Sequence, residues 1–164
     1  MQLLPINAFN CWSQLQKYLA LHKISEYEIL GNLNFMNCDD EYDFTGLHCI
    51  HGSLNVYHAN IRTLANIKKI TGSLTLPFST IESIDSLEYV GEDLYLGHTN
   101  IKTLGTIKYI GGHINAMDSN LYSLGNLEFL GGNIYIDSKS KLTDYDVSRF
   151  TNKIKFLWYY LLSM

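Results

Sequence analysis

The sequence predicts a mostly β repeat solenoid, one domain over residues 1–164, in which short parallel strands stack coil upon coil. Three observations carry that prediction. An apolar pair recurs every 20 residues, the other apolar positions recur with it, and the charges between them alternate in sign from one unit to the next. Aligned on the pair, the units read GSLNV from Gly52, GSLTL from Gly72, EDLYL from Glu92, GHINA from Gly112 and GNIYI from Gly132. The first apolar residue of each falls at Leu54, Leu74, Leu94, Ile114 and Ile134 without slippage.

The rest of the unit follows the same period. Val56, Ile61, Leu64, Ile67 and Ile70 become Leu76, Ile81, Ile84, Leu87 and Val90. They return as Leu96, Ile101, Leu104, Ile107 and Ile110, and again as Ala116, Leu121, Leu124, Leu127 and Leu130. A degenerate coil, with Leu33, Phe35, Phe44, Leu47 and Ile50, precedes these one residue out of step, and a truncated one follows at Ile134, Ile136 and Leu142. Two apolar residues around one polar residue are strand-like, whereas the later ones come every three. Each coil is therefore expected to hold one short strand plus turns or a 3₁₀-like arc. Stacked coils place equivalent strands about 4.8 Å apart, so each apolar slot becomes a ladder through the core.

Gly52, Gly72, Gly91, Gly111, Gly112, Gly131 and Gly132 fall where the chain corners into the strand. That place demands either positive φ or close approach of neighbouring coils, and the recurrence of the run in every coil argues for geometry over phosphate binding. The slot Lys68, Glu88, Lys108, Glu128 alternates in charge, and so does Arg62, Glu82, Lys102. Such exposed pairs contribute about 0–1 kcal/mol each and serve register and solubility.

A solenoid needs caps. Ala8 to His22 carries Phe9, Trp12, Leu15 and Leu19 on one helical face, so residues 1–30 are expected to form an N-terminal helical cap. Thr143, followed by Asp144 and Asp146, starts a helix expected to run to Tyr160 through Val147, Phe150, Ile154 and Leu157, making 143–164 the C-terminal cap around coils 31–142. Its apolar end, FLWYYLLSM, exceeds what one capping face needs; it is expected to fold over the last coil, with a homodimer or partner contact through Trp158 and Tyr159 as the alternative.

The bulk numbers bound the function. A 46% hydrophobic content with 17% charged residues describes a folded chain. A net charge of −4 disfavours nucleic acid as a partner, since no broad basic surface exists to attract phosphates. The N-terminal stretch lacks the pattern of a secretory signal, and no apolar run is long enough to span a membrane. Cys11, Cys38 and Cys49 are odd in number and irregularly spaced, which favours reduced thiols and a cytoplasmic location, with a Cys38–Cys49 bridge as the alternative.

The strings LANIKKITGSLTL, LGTIKYIGGHINA and LGNLEFLGGNIYI resemble the repeat of receptor L-domains and related leucine-rich-repeat proteins. Ala59-Asn60-Ile61, Thr99-Asn100-Ile101 and Ser119-Asn120-Leu121 match that family's turn, and the resemblance covers about residues 31–142. It implies a right-handed parallel β-solenoid of leucine-rich-like coils (α/β, mostly β), used for protein or ligand binding without catalysis. Extracellular L-domains have disulfide-bonded caps and an export signal. Their absence makes a cytosolic bacterial or phage-type repeat protein the better likeness.

Little chemistry stands out. His48 and His51 have the spacing of a metal half-site but no evident partners, so turn histidines and no metal are expected. Asp39, Asp40, Glu41 and Asp43 lack the glycine and closing glutamate of a calcium loop, and read as a solvated insertion that could meet a basic partner. No nucleophile elbow, zincin helix or phosphate loop occurs, so neither catalysis nor a cofactor is expected.

What remains is the outward side of the strands. Tyr57, His58, Phe78, Tyr95, His98, His113, Met117 and Tyr135 form the expected partner-binding face, with Asp39, Asp40, Glu41, Trp158 and Tyr159 as secondary candidates. Tyr89, Tyr109 and Phe129, one slot on the opposite arc, form a rival stripe that packs between coils or binds. The expected function is a non-enzymatic protein-protein interaction module, for example a small inhibitor or adaptor of the phage counter-defence type. The alternatives are small-ligand or single-stranded nucleic-acid binding on the aromatic face, and a structural subunit of a homo-oligomer.

Overall fold

The computed structural model describes residues 1–37, 42–138 and 141–156. The chain forms a parallel β-solenoid of about six turns. It opens with β1 (Gln2–Pro5), a 3₁₀ turn (Ile6–Ala8), α1 (Trp12–His22), β2 (Tyr27–Leu30), β3 (Leu33–Asn34) and β4 (Leu47–His51). Two-residue strands then alternate: β5 (Leu54–Asn55), β6 (Lys69–Ile70), β7 (Leu74–Thr75), β8 (Tyr89–Val90), β9 (Leu94–Tyr95), β10 (Tyr109–Ile110), β11 (Ile114–Asn115) and β12 (Phe129–Leu130). The chain closes with β13 (Ile134–Ile136), α2 (Asp144–Arg149) and β14 (Ile154–Phe156).

These strands make two seven-stranded sheets. The first has the order β1-β2-β4-β6-β8-β10-β12 and the second β14-β13-β11-β9-β7-β5-β3. Register follows the period: Leu54, Leu74, Leu94, Ile114 and Ile134 pair in turn along the second sheet. Every regular apolar slot read from the sequence is buried, from Leu54 and Val56 to Leu130, Ile134 and Ile136. One coil alone cannot bury its inner face, so stability is shared between neighbours.

The arc holds the expected turn, where Leu87 N–H donates to the Ile84 carbonyl (2.9 Å), and then, before the corner, a second short strand such as Tyr89–Val90 that the spacing does not suggest. The backbone there bonds to the neighbouring coil, Glu88 N–H to the Lys68 carbonyl (2.9 Å) and Gly91 N–H to Ile70 (2.9 Å), so inter-coil pairing decides the conformation. The corner glycines serve close approach, not positive φ. A Cβ on Gly111 would overlap the Gly91 carbonyl oxygen, and one on Gly131 the Gly111 carbonyl oxygen.

Both ends differ from the expected long helices. The N-terminal helix starts at Trp12, because Ile6–Ala8 is a 3₁₀ turn and Cys11 is extended at the N-cap. Phe9 instead packs edge-on against Tyr18 at 5.4 Å. Leu15 and Leu19 are buried, and the Trp12 ring meets Phe35 and Phe44 at 5.4 Å each. The first sheet moreover reaches back through β2 to β1, where the sequence suggests only a cap.

At the C-terminus α2 ends at Arg149, and Ile154–Phe156 pairs with Ile134–Ile136 as a strand. Thr143 caps α2 by accepting the Asp146 N–H at 3.2 Å, as its residue type predicts. Asp146 is buried and accepts from Thr143 (2.8 Å) and Arg149 (3.3 Å). Arg149 donates to the carbonyls of Gly125 and Leu127, and Lys153 to those of Leu130, Gly131 and Gly132. Two cations thus satisfy the main-chain acceptors that the last strand of the first sheet leaves without a neighbour. Trp158 and Tyr159, and Asp39, Asp40 and Glu41, lie outside the described residues.

Candidate functional site

The expected partner-binding residues occupy three adjacent columns at the corner that follows the second sheet, and a fourth column before it. The strand column reads Asn34, Asn55, Thr75, Tyr95, Asn115 and Tyr135, one residue per coil. Asn34, Asn55 and Asn115 turn back and accept the N–H two residues on, from Met36, Tyr57 and Met117 at 3.0–3.2 Å. Tyr95 cannot do this. Its side chain extends outward, and its hydroxyl donates to the Asp93 carboxylate at 3.0 Å. Partial desolvation and then that carboxylate push the Tyr95 phenol above its ordinary range.

The next residues turn the corner. His58, Phe78, His98 and Asp118 all adopt left-handed backbone, with φ of 52°, 59°, 53° and 51°. Asparagine, aspartate and glycine accept that conformation readily, whereas a bulky side chain in it costs about 1–2 kcal/mol. Phe78 nevertheless stands there, 46% exposed. Its ring stacks on His98 (centroids 4.3 Å, planes 16° apart) and meets Tyr57 edge-on at 5.6 Å. His98 in turn lies 3.8 Å from the Asp118 carboxylate. Beside this column, Pro77, Tyr95, Gly97, His98, Asn115, Met117 and Asp118 line an open depression of about 440 Å³.

Tyr57, Phe78, Tyr95, His98 and Met117 are therefore brought together. His113, before the strand in the coil of Asn115 and Met117, and Tyr135, one coil further on, have rings 5.4 Å apart and do not line the depression. His113 has a main-chain task. Its Nδ1 accepts the Asn133 N–H at 2.9 Å, just as Asp93 accepts from His113 (2.7 Å) and Ser53 from Ser73 (3.0 Å). The neutral ring consequently carries its proton on Nε2.

The rival stripe packs on itself. Tyr89, Tyr109 and Phe129 stack face to face at 4.6 and 4.7 Å with planes 4° and 9° apart, and the Lys69 ammonium lies 4.9 Å from the Tyr89 centroid.

His48 and His51 do not share a site, since His48 lies 3.8 Å from Glu26 whereas His51 hydrogen-bonds Glu28 at 2.6 Å. Sequence reasoning missed a different set. Glu28, Cys49 and His51 place three ligand-type atoms within 4.8 Å of one another. The signal lay in the Cys49-x-His51 alternation, but its partner comes from a coil whose register the sequence left ambiguous. Cys11 and Cys49 are free thiols.

Comparison with protein-family models, with curated proteins and with solved structures returned no match. Among the described residues no helix is long and apolar enough to cross a membrane.

Proposed function

We propose that the protein is a non-enzymatic protein-binding module that engages its partner through the corner column around Phe78 and the adjoining depression. The observation that carries this reading is Phe78 itself: a large apolar side chain held in left-handed backbone and left 46% exposed. Stacking on His98 returns about 0.5–1.5 kcal/mol beyond the area it buries, against the roughly 1–2 kcal/mol of the conformation. The same slot holds Asn37 and Asp118 elsewhere, residues that suit it. A large apolar side chain left half exposed in left-handed backbone, a kind of strain that clusters at binding sites, is best accounted for by a partner. Aromatics and methionine are also what interface cores favour: Tyr57 touches Phe78, and Tyr95 and Met117 line the adjoining depression.

The resemblance of the coils to leucine-rich repeats supports the same reading, because that architecture presents a parallel sheet to other proteins. A small cytoplasmic inhibitor or adaptor, of the phage counter-defence kind, is its most concrete form. Affinity capture with mass spectrometry, run in parallel on wild type, Phe78→Asn with Tyr95→Ser, and the remote control Tyr122→Ser, tests it. A partner retained by the control and lost by the double variant is the expected result. Capture of no protein, or loss only in the control, sinks the idea. A thermal-shift screen covers the small-ligand alternative, since a 440 Å³ depression lies within the size range of ligand sites.

A further inference from the structure

We propose that Glu28, Cys49 and His51 form a zinc-binding site on the outer face of the first sheet, with Glu28 supplied by β2 and the other two ligands by β4.

The placement comes from one irregularity in the ladder. Tyr27 pairs with Leu47 but Glu28 pairs with Cys49, so His48 is an extra residue in β4. Such a bulge re-aims side chains. Ile29 and Ile50 are both fully buried, so the alternation beyond the bulge turns Glu28, Cys49 and His51 to the opposite, outward side. The bulge takes His48 out of the ladder, so that Glu28 stands opposite Cys49 with His51 two residues further on.

The donor set is chemically selective. A thiolate, an imidazole and a carboxylate suit Zn²⁺, whereas Mg²⁺ and Ca²⁺ take oxygen ligands. All three donor atoms already lie within 4.8 Å of one another. Tetrahedral zinc bonds of about 2.0–2.3 Å separate its nitrogen and oxygen ligands by about 3.3 Å. The His51 Nε2 to Glu28 Oε2 contact of 2.6 Å therefore opens by a fraction of an ångström, a movement two partly exposed side chains accommodate. Cys49 sits beneath them at 6% exposure, so the fourth position faces solvent and takes water.

Binding replaces the Glu28–His51 hydrogen bond with two metal–ligand bonds. The Cys49 S–H bond breaks, the sulfur binds the metal as thiolate, and the proton goes to solvent. In the metal-free protein, burial and then the Glu28 charge hold the Cys49 thiol above its usual range, the state a divalent cation reverses. Lys69, in register with Cys49 on the far side, opposes the metal by like charge.

Titration of the reduced full-length protein with Co²⁺, followed by displacement with Zn²⁺, tests the assignment. One cobalt per chain with a sulfur-to-cobalt charge-transfer band is expected. Cys49→Ser removes the band, and His51→Gln or Glu28→Gln weakens binding beyond the roughly 10–100-fold that loss of a mere outer-shell partner produces. His48→Gln leaves binding unchanged, and Lys69→Gln tightens it. Circular dichroism of each variant checks that the fold persists. Absence of the band up to millimolar cobalt overturns the proposal, and so does a band that survives Cys49→Ser in a folded protein.

Discussion

The regular coils between Gly52 and Ile136 and the irregular coils before them use the same architecture to opposite effect. In the regular part, equivalent residues are 20 apart and the register sets each one above its counterpart: isoleucine on leucine, Tyr109 on Tyr89, Ser73 on Ser53. In the N-terminal part the step lengthens to 21, as between Asn32 and Ser53, and a bulge intervenes at Tyr27/Glu28. Unlike residues then meet, and Glu28, Cys49 and His51 converge. The regular coils pair unlike residues too, Lys68 with Glu88 and Phe78 with His98, one 20-residue step apart, whereas the three-donor cluster lies at the bulge.

The largest expected effect breaks the regular part at its tightest point. Gly111→Ala drives a Cβ into the Gly91 carbonyl and should cost about 3 kcal/mol or more, the upper end of overpacking. Urea denaturation reads it directly.

The irregular part is expected to fail first in alkali. Burial pushes the Tyr27 phenol from 10.0 up to about 12. Between those values the unfolded chain has released a proton that the native chain still holds, so stability falls as pH rises. The loss approaches about 2 kcal/mol near pH 12. Tyr27→Phe should flatten the melting temperature across that window relative to wild type. An unchanged slope in the variant rules the assignment out.

The two aromatic columns sharpen the contrast within the regular part. Tyr109 contacts a ring on each face, so Tyr109→Ala should destabilise by about 1–2 kcal/mol, allowing for partial exposure. Phe78→Asn should do the reverse, leaving stability unchanged or raising it by up to about 1 kcal/mol, because the left-handed strain goes with the ring. Thermal melts of the pair, side by side, distinguish a column built for folding from one that is not.

Much of the fold was legible because a 20-residue period repeats one local rule many times. The buried slots from Leu54 to Leu130 follow directly from spacing. The second strand of each coil was not legible: Tyr89–Val90 has only two residues, and its strand character comes from bonds to the next coil instead of local pattern. Ile154–Phe156 misled for a related reason. Val147, Phe150 and Ile154 keep a helical spacing, yet the open edge of β13 captures the segment as a strand. In the candidate site, exposure of Tyr95 followed from alternation and that of Phe78 from its place in the adjacent loop, whereas the main-chain duty of His113 did not, since a hydrogen bond to Asn133 leaves no mark on sequence. Glu28 joined Cys49 only through the bulged residue His48.

Arg149 and Lys153 close the last coil on main-chain carbonyls of Gly125, Leu127, Leu130, Gly131 and Gly132. Those bonds go to main-chain atoms that every coil presents alike, while Phe150 and Ile154 of the same cap pack on the core. Length in this molecule therefore comes in steps, each coil adding about 4.8 Å along the axis. The molecule is a ruler with coils for gradations, and any two features on different coils can be moved apart only by whole steps.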